Sequence, residues 1–266
     1  MHVQRVLSGL LLFPAAVDCI LWSSPRVFAA VVCLLALAAA GEVYAMASAC
    51  GVRPVWPTGL AAAALAALTP SVGGAGVALG ALALAGAGTL AWLALAGGDP
   101  SEALARTGVT ALGTAYVGGL LAFALLLRQG PAGPTRVLAA ALITWAGDIA
   151  AFYAGRAFGR RRLAPRISPG KTVECAVAGL IASAVAAAAG APWFWPGHLL
   201  LGAAAGTLVG LAGQVGDLTE SLLKRSLGAK DSGRLIPGHG GVLDRIDSLL
   251  FALPALYALA RLGLVP

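Results

Sequence analysis

Residues 198–225 read HLLLGAAAGTLVGLAGQVGDLTESLLKR. From Leu199 to Gly216 the run holds no charged residue, and about 20 apolar residues are enough for a helix to cross a bilayer. Gly202, Gly206 and Gly210 repeat every four positions, a small-residue seam on one helix face that suits tight packing against a neighbour. The run then turns polar. If the helix continues, Asp217, Glu220, Ser221 and Lys224 fall at i, i+3, i+4 and i+7, one polar stripe on an apolar rod. A membrane-crossing helix that carries its chemistry at one end is the reading that decides the fold.

The rest of the chain agrees with that reading. Its 266 residues are 59% hydrophobic and 11% charged, against roughly 25% charged in soluble domains. An ordinary cytosolic enzyme, a disordered protein and a disulfide scaffold are excluded. Apolar stretches recur at roughly 5–22, 26–49, 57–70, 75–96, 107–127, 135–158, 173–190, 198–216 and 246–262. These predict an all-α, polytopic membrane protein with nine spans. The stretch at 57–70 is the weakest, bounded by Pro57 and Pro70 and rich in alanine, and is expected to be short, tilted or re-entrant. The first 22 residues read as a retained span, since Asp18 falls near the end and no small-residue cleavage site follows. The four cysteines, Cys19, Cys33, Cys50 and Cys175, show no metal-ligand spacing and read as small buried apolar residues.

The net charge of +7 sits in short clusters between apolar runs, which marks topology rather than nucleic acid. With the N-terminus inside, 14 of the 18 basic residues fall on the cytoplasmic side. Only Arg26, Arg128, Arg136 and Arg261 fall opposite. The acids divide differently, seven of eleven lying in the last 120 positions. Residues 1–130 therefore read as scaffold and 131–266 as the catalytic half of a single membrane-embedded domain. Ionisable groups at membrane depth cost about 2.5–3.5 kcal/mol each on insertion scales and are usually functional.

Two constellations carry chemistry. Beyond the stripe on the eighth span, a Gly-rich turn leads into Gly238-His239-Gly240-Gly241-Val242-Leu243-Asp244-Arg245-Ile246-Asp247-Ser248. Antiparallel neighbouring helices would let Asp217 and Asp244 face each other near the cytoplasmic surface. Oxygen ligands without His or Cys suit Mg²⁺, which takes further ligands from substrate phosphates. Lys224, Lys230 and Arg234 supply phosphate-binding charge, and glycines at 238–241 allow close backbone approach to an anion. The second constellation starts at Asp148 and runs through Gly155-Arg156 and Phe158-Gly159-Arg160 to Ile167-Ser168-Pro169-Gly170-Lys171-Thr172-Val173-Glu174. Ser168 before Pro169 suits a turn, and Lys171-Thr172 at a helix start could hold an anion. Arg160 to Arg162 serve equally well as an inside-loop topology signal, and Lys171 with Glu174 as a simple i, i+3 pair.

These two strings together resemble the signature of the phosphatidate cytidylyltransferase (CDP-diacylglycerol synthase) family. The resemblance covers positions 148 to 248. Departures are Gly170 where a polar or basic residue is usual, Cys175 where glycine is common, and Thr219 where an aromatic often stands. What the resemblance implies is transfer of a cytidylyl group from CTP to phosphatidic acid, giving CDP-diacylglycerol and pyrophosphate. It further implies a paired-metal centre needing Mg²⁺, with K⁺ as a second cation. Carried over by position, Asp217 and Asp244 are metal ligands with Asp247 beside them, and Ser221 and Lys224 complete the catalytic group. Lys171, Arg225, Lys230, Arg234, His239, Gly240, Gly241 and Ser168 form the substrate-binding set. The implied setting is the inner (plasma) membrane, crossed several times, with the site open to the cytoplasm, and the Gly-rich faces suit a homodimer.

Three other readings compete. A CTP-dependent polyprenol kinase would phosphorylate an alcohol and gain from a general base. A transporter would use Asp148, Asp217 and Asp244 as ion sites, but no inverted repeat is visible. Enzymes that consume CDP-diacylglycerol would need a D-G-x-x-A-R string, which is absent from the sequence.

Overall fold

The computed structural model describes residues 2–235 and 240–265, apart from the side chains of residues 2–11 and 75. The chain is nearly all helical, and each apolar stretch read from the sequence lies along a helix. It divides into two compact units, Met1–Leu126 with Ser226–Arg245, and Leu127–Arg225 with Ile246–Pro266.

The first unit holds α1 (His2–Trp22), α2 (Pro25–Ala49), α3 (Trp56–Val72), α4 (Ala75–Ala83), α5 (Thr89–Leu95), α6 (Pro100–Gly113) and α7 (Leu120–Leu127). Single π-helical turns join α4 to α5 at Leu84–Gly88 and α6 to α7 at Thr114–Gly119. Starts are encoded locally. Pro25, Pro57 and Pro100 stand in the first turns of α2, α3 and α6, where the missing N–H costs nothing. Asp99 caps α6 by accepting from the Ser101 N–H and hydroxyl, both at 2.8 Å, and these two bonds hold its carboxyl below the usual carboxylate range.

Small residues let α2, α3 and α6 close on one another around Tyr44. Its hydroxyl donates to the Thr110 carbonyl at 2.9 Å, and a Cβ added at Gly59 would lie 2.6 Å from that hydroxyl oxygen. The Thr110 hydroxyl accepts the Val55 N–H at 3.0 Å. Helix α3 has 17 residues, about 26 Å at 1.5 Å per residue, short of the ~30 Å hydrocarbon core.

The second unit holds α8 (Gly133–Phe158), strands β1 (Arg162–Ala164) and β2 (Ser168–Thr172), α9 (Val173–Phe194), α10 (Leu199–Ser226) and most of α11 (Leu243–Arg261). The strands form an antiparallel hairpin with Arg162 opposite Thr172 and Ala164 opposite Ser168. Ser168, expected in a turn, is therefore in a strand. The reason is the far end of the hairpin: Glu174 accepts the Arg160 and Arg161 N–H groups at 3.0 and 3.2 Å, and Thr172 caps α9 through the Cys175 N–H at 3.2 Å. Both ends of the segment are tied, so its backbone pairs with itself.

Helices α8, α9 and α10 meet at Ser183. Its hydroxyl donates to the Ile143 carbonyl at 3.1 Å, and Cβ atoms at Gly147 and Gly210 would each stand 2.5 Å from it. The seam of Gly202, Gly206 and Gly210 faces α9, with Gly206 against Ala187 and the Ser183 carbonyl. The tight packing expected of those glycines has α9 as its neighbour.

Six helical segments are long and apolar enough to span a bilayer among the described residues: Pro25–Ala49, Gly76–Leu95, Pro100–Leu127, Gly133–Phe158, Val173–Phe194 and Leu199–Ser226. The cysteine expectation needs correction. All four are free, but only Cys175 is buried; Cys19 and Cys33 are half-buried and Cys50 is exposed. Cys50 stands just past the end of α2 as its cap, beyond the reach of the neighbours that cover the helix.

Candidate active site

Helix α10 runs unbroken for 28 residues through the polar stripe, so Asp217, Glu220, Ser221 and Lys224 do share a face. Gly216 lets α11 come close enough to use it: a Cβ there would lie 2.6 Å from the Asp247 carbonyl. One carboxylate oxygen from each of Asp217, Glu220 and Asp247 lies within 4.8 Å of the other two. Lys171 reaches Asp217 from the end of β2 at 2.5 Å, and Lys224 pairs with Glu220 at 2.5 Å. Glu220 is fully buried. Each ammonium stands against one acid of the cluster, which offsets the repulsion three bare carboxylates would suffer.

Further groups orient these acids. The Ser221 hydroxyl is 3.5 Å from Asp217. The Ser248 N–H donates to Asp247 at 2.7 Å, while its hydroxyl lies 3.5 Å from Asp148. Asp148, Lys171 and Asp217 line a cavity of about 530 Å³, whose wall is otherwise mostly small or apolar and includes Gly147, Phe152 and Gln214. Gln214 is held by its amide, which donates to the Ala176 carbonyl at 2.8 Å. Arg225 donates to the Ile167 carbonyl at 3.3 Å, tying the end of α10 to the hairpin that carries Ser168 and Lys171.

A donor set of carboxylate oxygens, without nitrogen or sulfur, fits a hard cation such as Mg²⁺. The sequence places Glu220 on the polar stripe, and the tertiary structure adds it to the carboxylate cluster.

Asp244, Lys230, Arg234, Gly240 and Gly241 lie in the first unit. Asp244 accepts the N–H groups of Ser232 at 3.1 Å and Gly241 at 2.9 Å. Lys230 and Arg234 are exposed. Gly240 has φ +81°, a left-handed turn that favours glycine. His239 lies outside the described residues. Sequence reasoning missed Glu42, a buried acid of α2 that meets this same segment. The signal was available: a lone carboxylate in an apolar span is costly and seldom idle.

The phosphatidate cytidylyltransferase of Brucella suis biovar 1 (strain 1330) is 44% identical over 156 residues, covering 56% of each chain. That of Pseudomonas aeruginosa is 44% identical over 137 residues, 51% of each chain. That of Synechocystis sp. is 46% identical over 129 residues, 48% of this chain and 43% of the relative. The matched part thus spans about half the length of these curated relatives. Across residues 3–262 the sequence matches the family described as Cytidylyltransferase family, and the chain belongs to that family.

Proposed function

We propose that the protein transfers a cytidylyl group from CTP to phosphatidic acid, releasing pyrophosphate and forming CDP-diacylglycerol for phospholipid synthesis, with Mg²⁺ required. The observation that carries the reading is the lysine-paired cluster of Asp217, Glu220 and Asp247 at a largely apolar cavity in a membrane-type fold. The names of the relatives point to the same reaction.

The nucleophile is a phosphate monoester oxygen, largely dianionic near neutral pH because its second pKa is about 6. It attacks the α-phosphorus of CTP. The bond from that phosphorus to the bridging oxygen breaks, and the electron pair leaves with pyrophosphate. No proton has to be removed, so a general base is not needed. The obstacle is repulsion between two polyanions, and alignment with charge neutralisation is what such transfers require. Asp217, Glu220 and Asp247 would hold Mg²⁺, and Asp244 is kept as a ligand on the resemblance. When bound, the cation neutralises phosphate charge and polarises the reacting phosphoryl group. Lys171 and Lys224 offset further charge, and Ser221 orients Asp217. Lys230, Arg234, Arg225, Ser168, His239, Gly240 and Gly241 remain the proposed substrate contacts. Nine spans with a cytoplasmic N-terminus, residence in the inner membrane, K⁺ as second cation and a homodimer complete the proposal.

Purified protein in detergent should release pyrophosphate only with CTP, phosphatidic acid and Mg²⁺ together. Asp217→Asn and Asp247→Asn should each lower turnover about 100-fold or more, since loss of a mere partner of a metal ligand already costs about 10–100-fold. Wild-type turnover in either variant removes that residue from the metal site, and phosphorylation of an added polyprenol would replace the reaction with a kinase.

A further inference from the structure

The Gly240–Asp244 turn is organised by a residue 200 positions away in sequence. The Glu42 carboxylate, 9% exposed, accepts three hydrogen bonds from this segment. They come from the Val242 N–H at 2.8 Å, the Leu243 N–H at 2.9 Å and the Ser232 hydroxyl at 2.8 Å. Val242 immediately precedes α11 and Leu243 is its first residue, where the first N–H groups of a helix have no partner within it. A carboxylate at that end also meets the positive pole of the helix dipole. Glu42 is thus an N-cap supplied from another helix.

The network continues to Asp244. The Ser232 hydroxyl accepts the Asp244 N–H at 3.3 Å. In return Asp244 accepts the Ser232 and Gly241 N–H groups. Two glycines admit the buried carboxylate: a Cβ at Gly233 would lie 2.6 Å from Glu42 Oε1, and one at Gly241 would collide with Glu42 and Ser232. An isolated buried carboxylate is expensive, so three donors and two glycines converging on one point to a built feature.

We propose that Glu42 is a positioning residue that holds the Gly240–Asp244 turn and thereby sets the Asp244 carboxylate for divalent-cation binding. The inference rests on the reading of Asp244 as a metal ligand. Its test uses the full chain in detergent. Without nucleotide, the Val242 and Leu243 amides of the wild-type protein should be strongly protected from hydrogen exchange, although they adjoin a glycine-rich turn. In Glu42→Gln those amides should exchange at least about tenfold faster, since an amide places a donor against one of the N–H groups it should accept.

Mn²⁺ affinity, read by electron paramagnetic resonance, should fall about tenfold in the same variant, the loss expected of one charge-assisted bond. Glu42→Asp, which keeps the charge one methylene shorter, should recover part of both. Tyr44→Phe on the same helix should change neither. Unprotected amides in the wild type, or unchanged exchange or Mn²⁺ affinity in Glu42→Gln, would overturn the proposal. If Glu42→Gln does not fold, wild-type exchange and the Mn²⁺ affinity of Glu42→Asp decide, unchanged affinity again overturning it. Failure of the wild type to release pyrophosphate would sink the proposed reaction while both Glu42 readouts still stand.

Discussion

Lys171 and Lys224 make the acid cluster tolerable. Each ammonium lies 2.5 Å from a carboxylate oxygen, on Asp217 and Glu220 respectively. The two pairs are not equivalent. Glu220 is fully buried and the Lys224 side chain is 13% exposed, so loss of Lys224 falls on folding: removing one partner of a buried pair strands the other charge at about 3–5 kcal/mol. Lys171 is the more exposed of the two and borders the cavity, so its loss falls on the reaction. Lys171→Met should leave the folded protein intact in thermal melts and lower kcat/KM for CTP about 10–100-fold, the range of a charged hydrogen bond. Lys171→Arg should recover only part, because a planar guanidinium does not replace a point charge.

At the scale of elements, glycine spacing determines which helices touch. Along α10, Gly206 and Gly210 open a groove toward α9, and Gly216 opens one toward α11. Adding a methyl to such a contact forces the helices apart at about 1–3 kcal/mol. Gly206→Ala should therefore lower the melting temperature in detergent. Gly108→Ala, in α6 with nothing within 4 Å of its added Cβ, should be neutral or stabilising by up to about 1 kcal/mol, since alanine is the better helix former. Equal melting temperatures for the two variants would show that the α9–α10 seam has slack. The hairpin of β1 and β2 is the element that periodicity could not reveal. Its two strands are three and five residues long, with no apolar alternation, and it exists because Glu174 and Thr172 bind backbone at its base.

For the molecule as a whole, the arginines between α8 and α9 make the decisive topological claim. Arg160, Arg161, Arg162 and Arg166 are all exposed, and basic loops are retained in the cytoplasm. In a chain with its four cysteines replaced, a single cysteine at Arg162 should react with a membrane-impermeant reagent only after the cytoplasmic face is opened. Labelling from outside would place the hairpin, with Lys171, on the side away from CTP. Among the described residues, six segments satisfy length and composition for crossing. The three remaining stretches differ for separate reasons. Helix α3 is short, α11 carries Asp244, Arg245 and Asp247 in its first turns, and of α1 only Leu12–Trp22 lies among the residues with described side chains.

Hydropathy alone placed the helices, because an apolar run must satisfy its own backbone inside a bilayer and a helix does so locally. The 3.6-residue period likewise puts Asp217, Glu220, Ser221 and Lys224 on one face from the sequence alone. Partners across the chain were another matter. That Glu220 shares a cluster with Asp247, that Lys171 lies on Asp217, and that Glu42 caps α11 all depend on which helices pack together. Those choices come from close approach at glycines and from buried groups seeking donors far away in sequence, and no local pattern encodes them.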